Sequence, residues 1–105
     1  MAEKQTAGQD RLGDFAPQFA KLNDDVLFGQ VWDKEDELSR HDRSMTTVSS
    51  LMSLGLFPQL KDHMALAKKN GVTKTEIVAL ITQLAFYAGW PKAWSAFTLA
   101  KEIWD

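Results

Sequence analysis

The chain contains no cysteine, which excludes disulfides, thiolate nucleophiles and cysteine-ligated metals. Histidine is scarce too: His41 and His63 are the only two, and no H-E-x-x-H spacing exists, so no zinc site is expected. No apolar run approaches the ~20 residues of a membrane span, and no membrane partner is expected. Met1–Asp10 has no apolar stretch of signal-peptide type and reads as a flexible polar tail on a cytoplasmic chain. Twelve basic residues face 14 acidic ones, for a net charge of −2, and no Lys/Arg cluster occurs, so nucleic acid is not an expected partner. Alternating strand patterns and solenoid-length repeats are missing as well.

What the chain does have is apolar side chain: 45% of 105 residues, with four Trp and six Phe. A chain this short exposes much of its surface when folded alone. Part of that apolar content is therefore expected between copies of the chain. Residues 11–105 read as one all-α domain, a compact bundle of five to six helices.

Two short segments come first. Leu12, Phe15, Phe19 and Leu22 are spaced by three or four, which predicts a helical stripe, with Pro17 marking a kink or a second start. Asn23-Asp24-Asp25 reads as an N-cap cluster for a segment carrying Val26, Leu27, Phe28, Val31 and Trp32. Asp33 to Glu37 (DKEDE) reads as a solvated loop.

Four clearer helices follow. Ser39 to Asp42 resembles a capping box, and Met45, Val48, Leu51 and Met52 then share a face up to Gly55. Thr46, Thr47, Ser49, Ser50 and Ser53 make this helix small and hydroxyl-rich. A central place in the bundle or at a subunit contact is expected for it. Pro58 opens the next helix, Leu60, Met64 and Ala67 form its stripe with His63 beside it, and Asn70-Gly71 ends it. Thr73-Lys74-Thr75-Glu76 is a capping box for a helix with Ile77, Leu80, Ile81, Leu84, Ala85 and Ala88 on its apolar face. Gly89 is expected to close it in the left-handed conformation, and a last helix is expected from about Lys92.

Three stretches together resemble the carboxymuconolactone decarboxylase family of the alkyl hydroperoxidase D-like superfamily. They are Leu38-Ser39-Arg40-His41-Asp42-Arg43-Ser44, then Leu60-Lys61-Asp62-His63 with Asn70 to Ile77, then Ala85-Phe86-Tyr87-Ala88-Gly89-Trp90-Pro91-Lys92-Ala93. Phe28 to Trp32 is similar to the family's entry segment. The resemblance implies an all-α fold assembled into trimers or hexamers, with active sites near subunit contacts. Peroxidase members carry C-x-x-C-x-x-x-H; here His63 matches the histidine, but Leu56 and Gln59 stand at the cysteines and Ser44 near the relay glutamate. Thiol peroxidase chemistry is therefore excluded. Arg43-Ser44 is similar to the cysteine-free decarboxylase branch, while Asp33 to Glu37 departs from its pattern.

The resemblance implies a lyase that removes carbon dioxide from a small carboxylated lactone or related ring acid. The electron pair left behind must enter a conjugated carbonyl and a carbon must be protonated, so no metal or organic cofactor is required. His63, with an ordinary pKa near ~6.5, is the acid/base candidate. Arg43 is the candidate carboxylate clamp and Tyr87 a candidate donor to the oxyanion. Trp32, Phe28, Phe86 and Trp90 are candidate pocket walls, or else packing aromatics. His41 reads as a surface residue. The competing reading is a non-catalytic oligomer of the same fold that binds small molecules or serves structurally.

Overall fold

The structure, a computed structural model, describes residues 4–105. Among them every regular element is helical: α1 (Ala7–Leu12), α2 (Pro17–Lys21), a π-helix (Leu22–Val31), α3 (Arg40–Leu54), α4 (Phe57–Lys69), α5 (Lys74–Ala88) and α6 (Trp90–Trp104). Among the described residues no helix is long and apolar enough to cross a membrane. Contacts divide the chain into two compact units, one ending at Ser39 and one of Arg40–Asp105, where one domain over 11–105 is expected.

In the first unit, helix begins at Ala7, inside the stretch expected to be a flexible tail. The reason is a distant carboxylate. Asp24 accepts the backbone N–H groups of Gly8 (2.8 Å) and Gln9 (2.9 Å), two of the donors a helix start leaves unsatisfied. Asp24 thus caps α1 from afar and does not cap the segment that follows it, correcting the expected N-cap cluster. Gly8 is required at this contact, because a Cβ there would lie 2.6 Å from the Ala20 carbonyl oxygen and 2.7 Å from Asp24 Oδ1. Pro17 does open a second helix. It runs on into ten residues of π-winding, longer than the usual single-turn bulge. The expected stripe is not buried: Phe15 is 90% exposed, and Leu12, Phe19 and Leu22 are exposed too. Asp33 to Glu37 is exposed, as its charge predicts.

The second unit is built as the spacing predicts. Val48 and Met52 of α3, Leu60, Met64 and Ala67 of α4, and Ile81 of α5 are fully buried. Each large member of that set contributes ~1.5–3 kcal/mol through burial. Ala93, Ala96 and Ala100 give α6 a small buried face that lets it approach its neighbours closely. The hydroxyl-rich α3 touches α4, α5 and α6, so it is central in this unit. Thr46, Thr47 and Ser49 donate to the carbonyls four residues back (2.7–2.8 Å), which satisfies their hydroxyls within the helix.

The ends are fixed by identifiable groups. Thr73 Oγ1 accepts the Glu76 N–H (3.1 Å) and Glu76 Oε1 accepts the Thr73 N–H (2.9 Å), completing the capping box. Lys92 Nζ donates to the Ser53 carbonyl (2.8 Å) at the end of α3. Trp104 Nε1 donates to the Val72 carbonyl and Lys68 Nζ to the Ile103 carbonyl (2.9 Å each), tying the end of α6 to α4 and the α4–α5 connection. Gly55 and Gly71 have positive φ where stops are expected. Gly89 has φ 111° and ψ 145°, which is positive but outside the expected left-handed helical region, and α6 starts directly after it at Trp90.

Candidate functional site

His63 lies on α4, one residue before the buried Met64 and on the side of Leu60 and Ala67, and is half-buried. Burial disfavours its imidazolium and holds its pKa below the ordinary value, against an opposing pull from the Asp62 carboxylate. At neutral pH His63 is therefore a neutral imidazole. Arg43, in the first turn of α3, is half-buried. Its neighbour Ser44 is fully buried, and its Oγ accepts a hydrogen bond from Asn70 Nδ2 (3.0 Å), joining α3 to the end of α4.

The aromatics divide. Phe28 stacks on Trp32 (centroids 5.4 Å, planes 27° apart), and Trp32 is buried. Tyr87 sits in an apolar stretch of sequence that would ordinarily pack inward, yet it is 81% exposed at the end of α5. Phe86 and Trp90 are exposed beside it and meet edge to face (5.9 Å, 75°). The exposure of Phe86 and Tyr87 follows from register: Ile77, Ile81 and Ala85 face the core, which leaves the positions just after Ala85 pointing away.

A cluster underestimated in the sequence joins α3 to α5. His41 Nδ1 meets Asp42 Oδ1 at 2.8 Å, and His41 Nε2 lies 3.0 Å from both carboxylate oxygens of Glu76. Glu76 and then Asp42 raise the His41 pKa, so the pair of carboxylates favours the charged form of the ring. The Glu76 pKa is lowered, first by the Thr73 N–H and then by His41. The available signal was the capping box, which fixes Glu76 at the start of α5. His41 and Glu76 are 35 residues apart, a separation that local pattern does not bridge.

Concavities of the second unit lie on both sides of α5. A groove of about 430 Å³ runs between α3 and α5, with Glu76 and Gln83 on one wall and Met45, Thr46 and Ser49 on the other. A smaller pocket of about 230 Å³ lies between α5 and α6. Neither is lined by His63, Arg43 or Tyr87. Among the described residues no group of three His, Asp or Glu side chains is placed to hold a metal ion.

The profile of the carboxymuconolactone decarboxylase family matches residues 17–102. A 4-carboxymuconolactone decarboxylase of Acinetobacter baylyi (strain ATCC 33305 / BD413 / ADP1) is 35% identical over 94 residues, covering 90% of this chain and 69% of the relative. With a family profile over most of its length and a relative at this identity, this all-helical chain belongs to the carboxymuconolactone decarboxylase family.

Proposed function

We propose that the chain is a cofactor-free carboxy-lyase acting on a small carboxylated lactone or related ring acid. The observation that carries this reading is His63, a half-buried neutral imidazole beside the core stripe of α4 in a chain similar to a decarboxylase. A bound carboxylate near it would raise its proton affinity. His63 would then take up a proton with the substrate. As the C–C bond to the departing carbon dioxide breaks, its electron pair enters the conjugated lactone carbonyl, and His63 returns the proton to carbon. Arg43, with a fixed charge and a planar fork of donors, would hold a substrate carboxylate.

The test is carbon dioxide release from 4-carboxymuconolactone by the intact chain, with His63→Ala and Arg43→Gln. The proposal requires His63→Ala to lower kcat by roughly 10²-fold or more, and Arg43→Gln to act mainly on KM. An inactive parent chain, or full activity in His63→Ala, rejects it.

The exposed Phe86, Tyr87, Trp90 and Trp94 favour a second reading, a binding or structural oligomer, and they support self-association under either reading. Tyr87 would join a site only where another copy covers it. Sedimentation of the parent chain against Trp90→Ser and Trp94→Ser tests this. An assembly that survives both substitutions excludes this face as the contact.

A further inference from the structure

The pocket between α5 and α6 has a floor of Ile77, Phe97 and Ala100, a wall of Trp104, and a mouth of Lys74, Lys101 and Asp105. The wall is held in place by the Trp104 bond to the Val72 carbonyl. Val78 contributes apolar surface that stays exposed on the α5 side. Apolar concavities with a few fixed polar groups at one end are the usual form of small-molecule sites.

The mouth carries the ammonium groups of Lys74 and Lys101 and the side-chain carboxylate of Asp105. Lys74 Nζ and Asp105 Oδ1 are 2.8 Å apart. Lys74 first, and Lys101 further off, hold the Asp105 carboxyl below its usual range. Lys74 is also the first residue of the fifteen-residue α5, whose amino-terminal end favours negative charge. Asp105 therefore marks where an anion rests above this apolar floor.

We propose that this pocket binds a small apolar monocarboxylate, its body against Ile77, Phe97 and Trp104 and its carboxylate on Lys74 and Lys101 in place of Asp105. The volume equals that of about eight water molecules at ~30 Å³ each, which suits one ring on a short acid arm. No residue of α4 lines the pocket, so the site is separate from His63 and does not rest on the lyase reading.

The experiment titrates 3-phenylpropanoate into the full chain, following the Trp104 indole N–H resonance, with uncharged 3-phenylpropan-1-ol as the control. The acid is expected to shift Trp104 saturably and to bind about tenfold tighter than the alcohol, because its charge meets the two lysines. The double variant Lys74→Gln, Lys101→Gln, checked for an unchanged melting temperature, is expected to lose that preference. Asp105→Asn is expected to tighten binding several-fold by removing the competing carboxylate. Equal binding of acid and alcohol, an indifferent Asp105→Asn, or no saturable shift overturns the proposal; the last outcome would mean that a second copy or local packing closes the pocket.

Discussion

Phe15 and Leu60 are both large apolar residues at helical spacing, yet Phe15 is 90% exposed and Leu60 is sealed. Each stands for its unit. The second unit is held by side-chain volume, with Leu60, Met64 and Ile81 closing on α3 and α6. The first buries little large apolar surface besides Trp32, and its clearest tie is a carboxylate on backbone N–H groups. A stripe read from sequence reports what a helix is able to bury. Whether it does so is decided by what the chain, or another copy of it, places opposite.

The largest effect that would sharpen this contrast is Leu60→Ala. It is expected to cost ~2–5 kcal/mol in urea unfolding, as large-to-small changes in packed cores do. A loss under 1 kcal/mol, roughly the level of an ordinary surface change, would break the contrast.

Gly89→Val comes next. A Cβ there meets nothing within 4 Å, and the positive φ is expected to cost ~1–3 kcal/mol. A melting temperature equal to the parent's would show that the α5–α6 corner adapts.

The two histidines should then pull stability in opposite directions. The folded pKa of His41 is raised, so its contribution is complete below pH ~6.5 and is lost as pH rises through the folded value. The folded pKa of His63 is lowered, so folding is increasingly penalised as pH falls from ~6.5 towards that value. Urea midpoints across pH 5 to 9 should show His41→Gln flattening the alkaline loss and His63→Gln flattening the acid loss. Parallel profiles for both variants would refute the assignment.

The Asp24 tie has its own pH sign. Its pKa is lowered, chiefly by Asn23 and then by the Gln9 and Gly8 N–H groups, with burial opposing. The tie is therefore present above pH ~4 and lost as pH falls through the folded value. Amide exchange at Gly8 and Gln9 should accelerate there before exchange at Met64 does. The smallest effect is Phe15→Ser, expected within about 0.5 kcal/mol in a dilute sample where copies do not meet.

The second unit was legible because its signals are local. Pro58, the Thr73–Glu76 capping box and the stops at Gly55 and Gly71 each act within one turn of their own position. The first unit was not, because Asp24 acts on Gly8, sixteen residues away, and because π-winding leaves no mark in a pattern read with a period of 3.6. The same division runs through the candidate residues. The place of His63 beside the α4 stripe follows from helical spacing, whereas the engagement of His41 depends on Glu76 in another helix. The exposure of Phe86 and Tyr87 depends on which face of α5 wins the core, a choice the wide apolar face of that helix leaves open.

The burial of Met52 and Met64 has a consequence for oxidative chemistry. Without cysteine, all the sulfur of this chain is thioether, and peroxide converts an accessible thioether to a polar sulfoxide. Met45, only partly covered, should take up oxygen in the native chain. Met52 and Met64 can do so only when the packed helices part, and once oxidised they cannot return to the space they left. Slow one-oxygen mass gains on those two residues would therefore time the opening of the second unit, with no thiol competing for the oxidant.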